Sequence, residues 1–443
     1  MYKCVGINDE YIPISHIHSP KEIARMLKLP SYFAGLPVIP KKGLRNCQYD
    51  AIYQLEKSFR DGKNKALMVL ATGAGKTYTA CTAAYRLLSY TPAKRILFLV
   101  DRNNLGVQAE GEFSSYKLTE TGDTFNSIFV TERLRSKEIP DANVIISTKQ
   151  RLFAAITGKD IEDSDDESID FDSEDSVNEI ELGDNLKLSP DFFDAIIVDE
   201  CHRSIYGKWK KVLDYFSTAK IIGLTATPTP ETLAFFNGNQ VVNYTLEKSI
   251  ADGVNVDYRV FRIQTKVSEN GLVVKSGDDY IEHSNYNNLE IKKIINEDEE
   301  FKKEQLNRAI IDLSQIKVVL EEFKESIYTQ LFPNRDADFN YIPKTLIFAQ
   351  SDKHADCILQ VIKEVFPDQC ENFAKKITYS AGNSNELIRQ FRNDKDFRIA
   401  VTVTLVATGT DVKPLEVVMF LRDVNSETLY IQMKGRGART IGD

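Results

Sequence analysis

Short apolar runs recur along the chain, with polar or glycine-bearing stretches between them. Ala66–Leu70, Ile96–Val100, Val144–Ser147, Ala195–Val198 and Ile221–Leu224 come first, followed by Thr345–Ala349, Ile399–Val403 and Val417–Leu421. Each spans only four or five residues, mostly β-branched or leucine, without polar alternation. Runs of this kind read as strands buried on both faces, as in a parallel sheet covered by helices. They fall into two clusters, which predicts two α/β domains. Residues 246–343 are patterned differently. Arg259–Thr265 alternates like a strand, Glu269–Gly277 carries turn signals, and Glu297–Lys324 has apolar positions near helical spacing among charges. The last predicts a surface helix or helix pair. The expected organisation is an N-terminal extension (1–44), a first α/β domain (45–245), a linker with an accessory helical element (246–343) and a second α/β domain (344–443).

A length of 443 residues suits this division, being too long for one ordinary core. No run approaches the roughly 18 uncharged apolar residues of a membrane span, and the first residues lack the apolar core of a secretory signal. Six scattered cysteines without a C-x-x-C pair argue against a disulfide framework and point to the reducing cytoplasm. The net charge of −9 argues against a nucleic-acid partner only until its placement is considered. Residues 160–184 hold 13 Asp or Glu and no Lys or Arg, so without them the chain carries +4. This acidic insert, about 159–185, reads as a solvated surface loop with too little apolar area to order. A DNA-mimicking or autoinhibitory flap is the alternative.

The apolar run ending at Leu70 is followed by Ala71-Thr72-Gly73-Ala74-Gly75-Lys76-Thr77 and then a helical pattern over Tyr78–Leu88. Strand, glycine loop and helix N-terminus present backbone N–H groups and the positive end of a helix dipole to phosphates. Lys76 is placed to reach the β- and γ-phosphates of ATP, and Thr77 to ligate Mg²⁺. The full G-x-x-x-x-G-K-[ST] pattern is not met, since Leu70 stands where its first glycine belongs. Ala195–Val198 leads into Asp199-Glu200-Cys201-His202. Carboxylates at the C-terminal tip of a buried strand lie where open α/β sheets bind ligands. Asp199 suits the metal, and Glu200 suits polarising the attacking water. Thr225-Ala226-Thr227-Pro228 follows the next strand and on its own reads as a turn.

The second cluster adds Lys344–Ser351, Thr404–Asp411 and Gln432-Met433-Lys434-Gly435-Arg436-Gly437-Ala438-Arg439. Taken in order, these segments resemble the motifs of helicase superfamily 2. The intervening stretches, Asp199–Ser204 through Thr225–Pro228 to Ile250-Ala251-Asp252-Gly253, together with Arg45-Asn46-Cys47-Gln48, are similar to the motor of type I restriction enzyme R subunits. The resemblance covers residues 45–440. It implies two RecA-like α/β domains with mainly parallel sheets and a nucleotide cleft between them. It further implies a DNA-dependent ATPase that translocates on duplex DNA within a complex containing methyltransferase and specificity subunits.

Carried over position by position, the resemblance assigns adenine recognition to Gln48 and the phosphate cradle to Thr72, Gly73, Ala74 and Gly75. It gives coupling of hydrolysis to movement to His202, Thr225, Thr227 and Gln432, and nucleotide contact to Gly409 and Asp411. Arg439, with Arg436 second, supplies a permanently charged guanidinium to the γ-phosphate. Arg102, Lys149, Gln150 and Thr408 would face the DNA backbone. Two departures stand out. Thr404 occupies a place where the family usually has an aspartate, and 44 upstream residues are too few for the nuclease domain that precedes the motor in R subunits. The second lobe is expected to be incomplete, and nuclease activity is not expected of this stretch. A stand-alone DNA or RNA helicase and a nucleotide-dependent switch without motor activity are the competing functions.

Overall fold

The structure is a computed structural model. It describes residues 2–5, 10–13, 32–101, 103–118, 121–158, 186–203, 205, 207–263, 272–274, 279–283, 290–294, 299–301, 310–378, 384–403, 412, 415–424, 426–435 and 437. The acidic insert lies outside them. The chain divides into two compact units, Met1–Thr245 and Leu246–Asp443.

In the first unit the elements alternate as the apolar runs predict. They are α1 (Asn46–Arg60), β1 (Lys65–Leu70), α2 (Lys76–Tyr90), β2 (Ile96–Val100), α3 (Asn103–Ser115), β3 (Thr131–Arg133), β4 (Val144–Thr148), α4 (Lys149–Thr157), β5 (Ala195–Val198), α5 (Gly207–Tyr215), β6 (Lys220–Thr225), α6 (Pro230–Phe235) and β7 (Gln240–Tyr244). The seven strands form one sheet in the order β3-β4-β2-β5-β6-β1-β7, every pair parallel. Side chains alternate across the sheet into two cores. Met68, Phe98 and Ile197 face one helical layer, and Leu67, Leu97 and Ile196 face the other. The two helices beside the phosphate loop are joined by a buried ion pair, Arg86 of α2 with Glu56 of α1, and Arg86 also donates to the Pro37 carbonyl.

The second unit repeats the principle on a smaller scale. Its strands β8 (Thr345–Phe348), β9 (Ala374–Lys376), β10 (Ile399–Thr402) and β11 (Val417–Phe420) form a parallel sheet in the order β9-β10-β8-β11. Helices α7 (Leu313–Ser326), α8 (Asp352–Val365), α9 (Ser384–Asn393) and α10 (Glu427–Lys434) accompany it. The α/β class with two mainly parallel sheets is therefore as expected.

The region between the two sheets departs from the expectation. Leu272–Val274 pairs with Glu299–Phe301, while Asp279–His283 pairs with both Glu290–Ile294 and Ile310–Ile311, all antiparallel. Among the described residues, the helix expected over Glu297–Lys324 begins at Leu313, where the Asp312 carboxylate caps it by accepting from the Ser314 N–H at 2.9 Å. The β-branched pair Ile310-Ile311 favours extended chain at the last of these strands. Residues 259–263 are irregular, with Val260 and Phe261 exposed. Among the described residues no strand pairs with this stretch, and alternation without a paired backbone makes no strand.

Candidate functional site

The strand order places the C-terminal tips of β4, β2, β5, β6 and β1 side by side, and the chemistry-bearing residues of the first unit gather along that edge. β1 ends in Ala71-Thr72-Gly73-Ala74-Gly75 before α2 begins at Lys76. Gly73 and Gly75 both take φ of 86°, a left-handed backbone that glycine adopts without strain. A Cβ at Gly75 would also displace the Gln48 amide from its place against the loop. Because the first intrahelical bond available is Thr79 N–H to the Gly75 carbonyl, the N–H groups of Lys76 and Thr77 have no acceptor within the helix.

Gln48 is buried against this loop. Its amide nitrogen lies 3.4 Å from the Ala74 and Gly75 carbonyls, and its Oε1 accepts from the Arg45 N–H at 2.9 Å. Arg45, to which sequence reasoning gave no role of its own, donates to the Gly73 carbonyl at 3.1 Å. Position 45 therefore braces the same loop from the start of α1.

β5 delivers Asp199 and Glu200 to the centre of the edge. Lys76 Nζ lies 3.5 Å from Glu200 Oε1, with both side chains largely enclosed. Burial first, and then the neighbouring Glu200 charge, push the Asp199 carboxyl up to about 7, against the opposing pull of Lys76. The site thus holds more negative charge than one ammonium balances. Hard carboxylate and hydroxyl oxygens with a deficit of positive charge fit a divalent cation such as Mg²⁺, and the loop amides beside Lys76 fit a triphosphate. Glu200 sits at φ 45°, in the left-handed region that a non-glycine residue occupies only when its surroundings hold it there.

The turn after Glu200, Cys201–Arg203, is a single 3₁₀ turn. His202 is buried in it, with Nδ1 2.9 Å from Thr225 Oγ1 and 3.5 Å from Glu200 Oε2. Burial lowers the His202 pKa, against the opposing pull of the Glu200 charge. Thr225 Oγ1 also accepts from the Thr227 N–H at 3.0 Å, which fixes the turn after β6. The Thr227 hydroxyl is buried with no hydrogen-bond partner among the described residues.

The remaining predicted residues meet different outcomes. Lys149, expected on the DNA backbone, is buried; its ammonium lies 3.0 Å from Asp101 and donates to the Arg203 carbonyl at 2.9 Å. Gln150 is partly buried, and its Oε1 has no hydrogen-bond partner among the described residues. Gln432 is buried on α10 in the second unit. Arg102, Thr408, Gly409, Asp411, Arg436 and Arg439 lie outside the described residues, as does Thr404. Asp101 lies in the segment Leu99–Arg102, which the resemblance turns toward the DNA backbone; the sequence singled out only Arg102 there, although Asp101 follows a buried strand just as Asp199 does.

Comparison with known proteins supplies the context. Residues 41–230 match the family model "Type III restriction enzyme, res subunit", and residues 323–440 match "Helicase conserved C-terminal domain". The endonuclease subunit of the type I restriction enzyme EcoKI from Escherichia coli K12 is 30% identical over 95% of this chain and 36% of its own length. The EcoAI endonuclease subunit of E. coli is 28% identical over 97% of this chain and 50% of its own length. The chain therefore spans between a third and a half of these relatives. Among solved structures, a fragment described as an HsdR subunit of a type I restriction enzyme from Vibrio vulnificus YJ016 superposes with a TM-score of 0.61. It is 21% identical and covers 98% of this chain and 69% of that one.

Proposed function

We propose that the chain is a helicase superfamily 2 motor of the type I restriction enzyme R-subunit kind, and that it hydrolyses ATP to ADP and phosphate on binding duplex DNA, using the cycle to translocate. The observation that carries this reading is the unbroken series of contacts from Lys76 through Glu200 and His202 to Thr225. Phosphoryl transfer asks a protein mainly for positioning and charge stabilisation, and this series joins the phosphate loop to a neighbouring strand tip. A passive nucleotide-binding switch has no need of a strained carboxylate wired to a second motif.

In this proposal the loop Thr72–Gly75 and Lys76 hold the triphosphate, with Gln48 braced behind them. Thr77 and Asp199 hold Mg²⁺, which supplies positive charge to the phosphate oxygens when bound. Glu200 orients the attacking water and takes its proton. His202 and Thr225 with Thr227 pass the state of Glu200 along the sheet edge. Gly409, Asp411, Arg436, Arg439 and Gln432 are proposed for the second lobe, and Arg102 and Thr408 for the DNA backbone, on their motifs. Methyltransferase and specificity subunits are the proposed partners, in the cytoplasm. Among the described residues no helix is long and apolar enough to cross a membrane.

The test is the ATPase rate with duplex DNA, single-stranded DNA and RNA, for the natural chain and for Lys76→Ala. Duplex-stimulated hydrolysis that Lys76→Ala abolishes is the expected result, together with ATP-driven displacement of a triplex-forming strand without release of a duplex strand. Stimulation by RNA alone, or nucleotide binding without turnover, would replace the reading with a helicase or a switch respectively.

A further inference from the structure

The turn Cys201–Arg203 reaches in two directions. On one side His202 bonds Thr225, at the tip of β6. On the other, Arg203 donates to Asp101 Oδ2 at 3.2 Å, just beyond β2. The second oxygen of the same carboxylate, Oδ1, accepts from Lys149 Nζ at 3.0 Å, at the first position of α4 beyond β4. Lys149 closes the ring by donating to the Arg203 carbonyl at 2.9 Å. β2 lies between β4 and β5 in the sheet, so one carboxylate bridges the tips of three adjacent strands.

We propose that Asp101 is a positioning residue that couples the nucleotide state at Glu200 to the grip on nucleic acid, through Arg203 and the Lys149 end of α4. The proposal rests on the motor reading above. Its physical basis is that the coupled parts have no slack. Lys149 and Asp101 are largely enclosed, with side-chain exposures of 7% and 16%, so reorienting either breaks a charge-to-charge contact inside the fold. Glu200, three residues before Arg203, holds a backbone conformation that is favourable only while its contacts persist. Any change at Glu200 that relaxes this backbone moves the 3₁₀ turn, and the turn carries Arg203, Asp101 and Lys149 with it. Thr148 Oγ1 caps α4 by accepting from the Arg151 N–H, so Lys149 moves with a helix rather than with a free loop. In this arrangement Lys149 orients the strand tips beside the DNA and is not itself a phosphate contact.

Arg203→Gln and Asp101→Asn, each in the whole chain, test the inference. Coupling is reciprocal, so duplex affinity is measured with ADP and with a non-hydrolysable ATP analogue, alongside ATPase with and without duplex. The natural chain is expected to bind duplex with different affinities in the two nucleotide states. In the variants that ratio falls toward one and duplex stimulation drops by about tenfold, while basal hydrolysis stays within about threefold. An unchanged ratio in a variant that melts like the natural chain overturns the proposal. Arg203 is the more exposed partner, so Arg203→Gln decides the matter if Asp101→Asn fails to fold. A natural chain without duplex-stimulated hydrolysis would instead overturn the motor reading itself.

Discussion

Each lobe buries a histidine just beyond the C-terminal end of a parallel strand, and the two are placed for different work. His202, after β5, meets the Thr225 hydroxyl and the Glu200 carboxylate, residues drawn from two strands. His354, after β8, serves its own turn: its Nδ1 accepts from the Gln350 N–H at 3.2 Å, and its own N–H donates to Ser351 Oγ at 3.2 Å. Burial lowers both pKa values, and for His354 the nearby Arg422 adds to the effect. The lesson is that burial and a shifted pKa do not by themselves mark a working residue. What separates the two is whether the ring's partners belong to other chemistry-bearing segments. In the first lobe they do, and strain and excess negative charge collect there; in the second lobe the contacts described close on a single helix start.

The comparison is tested most severely at Glu200. Glu200→Gln keeps the size of the side chain but removes the carboxylate that meets both Lys76 and His202. Loss of a positioned base costs about 10²- to 10⁴-fold in rate, so duplex-stimulated ATP hydrolysis should fall by about that factor. Stability should not fall with it, because the substitution takes a negative charge away from Asp199, whose carboxyl that charge helps to raise. A melting temperature far below that of the natural chain, with activity retained, would show that the first lobe's edge is structural after all.

The strands of both sheets were legible because they are buried on both faces, which leaves an uninterrupted apolar run in the sequence. Edge strands were not. Thr131–Arg133 and Gln240–Tyr244 are held by backbone pairing with part of their side chains exposed, so no apolar run marks them. The antiparallel strands within residues 272–311 escaped notice for another reason: the charged residues spaced among their apolar ones read in sequence as a helix face. Within the site, the order of Lys76, Asp199, His202 and Thr225 along the chain was readable, but their adjacency depends on strand order, which no local pattern encodes. Asp101 shows the limit most clearly. Its segment, Leu99–Arg102, was read as facing the DNA backbone, and only the sheet order brings Lys149 and Arg203 to the aspartate within it. Lys149, read from sequence as a surface cation, is enclosed for the same reason.

In the second lobe the expected effect is smaller and depends on pH. His354 is fully buried, and its pKa is lowered to about 4 from an ordinary 6.5. Between these values the unfolded chain takes up a proton that the folded chain refuses, so folding stability is complete above pH 6.5 and declines as the pH falls toward 4. The full loss amounts to about 3 kcal/mol. Urea unfolding at pH 7, 5.5 and 4 checks this when His354→Asn is compared with the natural chain, since the carboxylates titrate in both. The variant should begin less stable at pH 7 and lose less on acidification. Parallel losses in the two proteins would mean that His354 already accepts a proton within the fold.

The smallest effect separates the cap from the ring. Ser351 holds α8 at its N-terminus, its hydroxyl accepting from the His354 N–H, with extended backbone at the cap and Asp352 in the first turn. Ser351→Ala removes that acceptor while leaving the imidazole and its Gln350 partner in place, and such caps contribute about 1 kcal/mol. Because a hydroxyl does not titrate in this range, the loss should be the same at pH 7 and pH 5.5, and the acid decline should keep its slope. ATP hydrolysis should be unchanged, since the contacts described for Ser351 stay within its own helix start. A slope altered by Ser351→Ala would show that the cap governs how deeply His354 is buried, making cap and ring one unit. An altered ATPase rate would mean that the second lobe's histidine turn is connected to the chemistry in the way the first lobe's is, and the contrast between them would be lost.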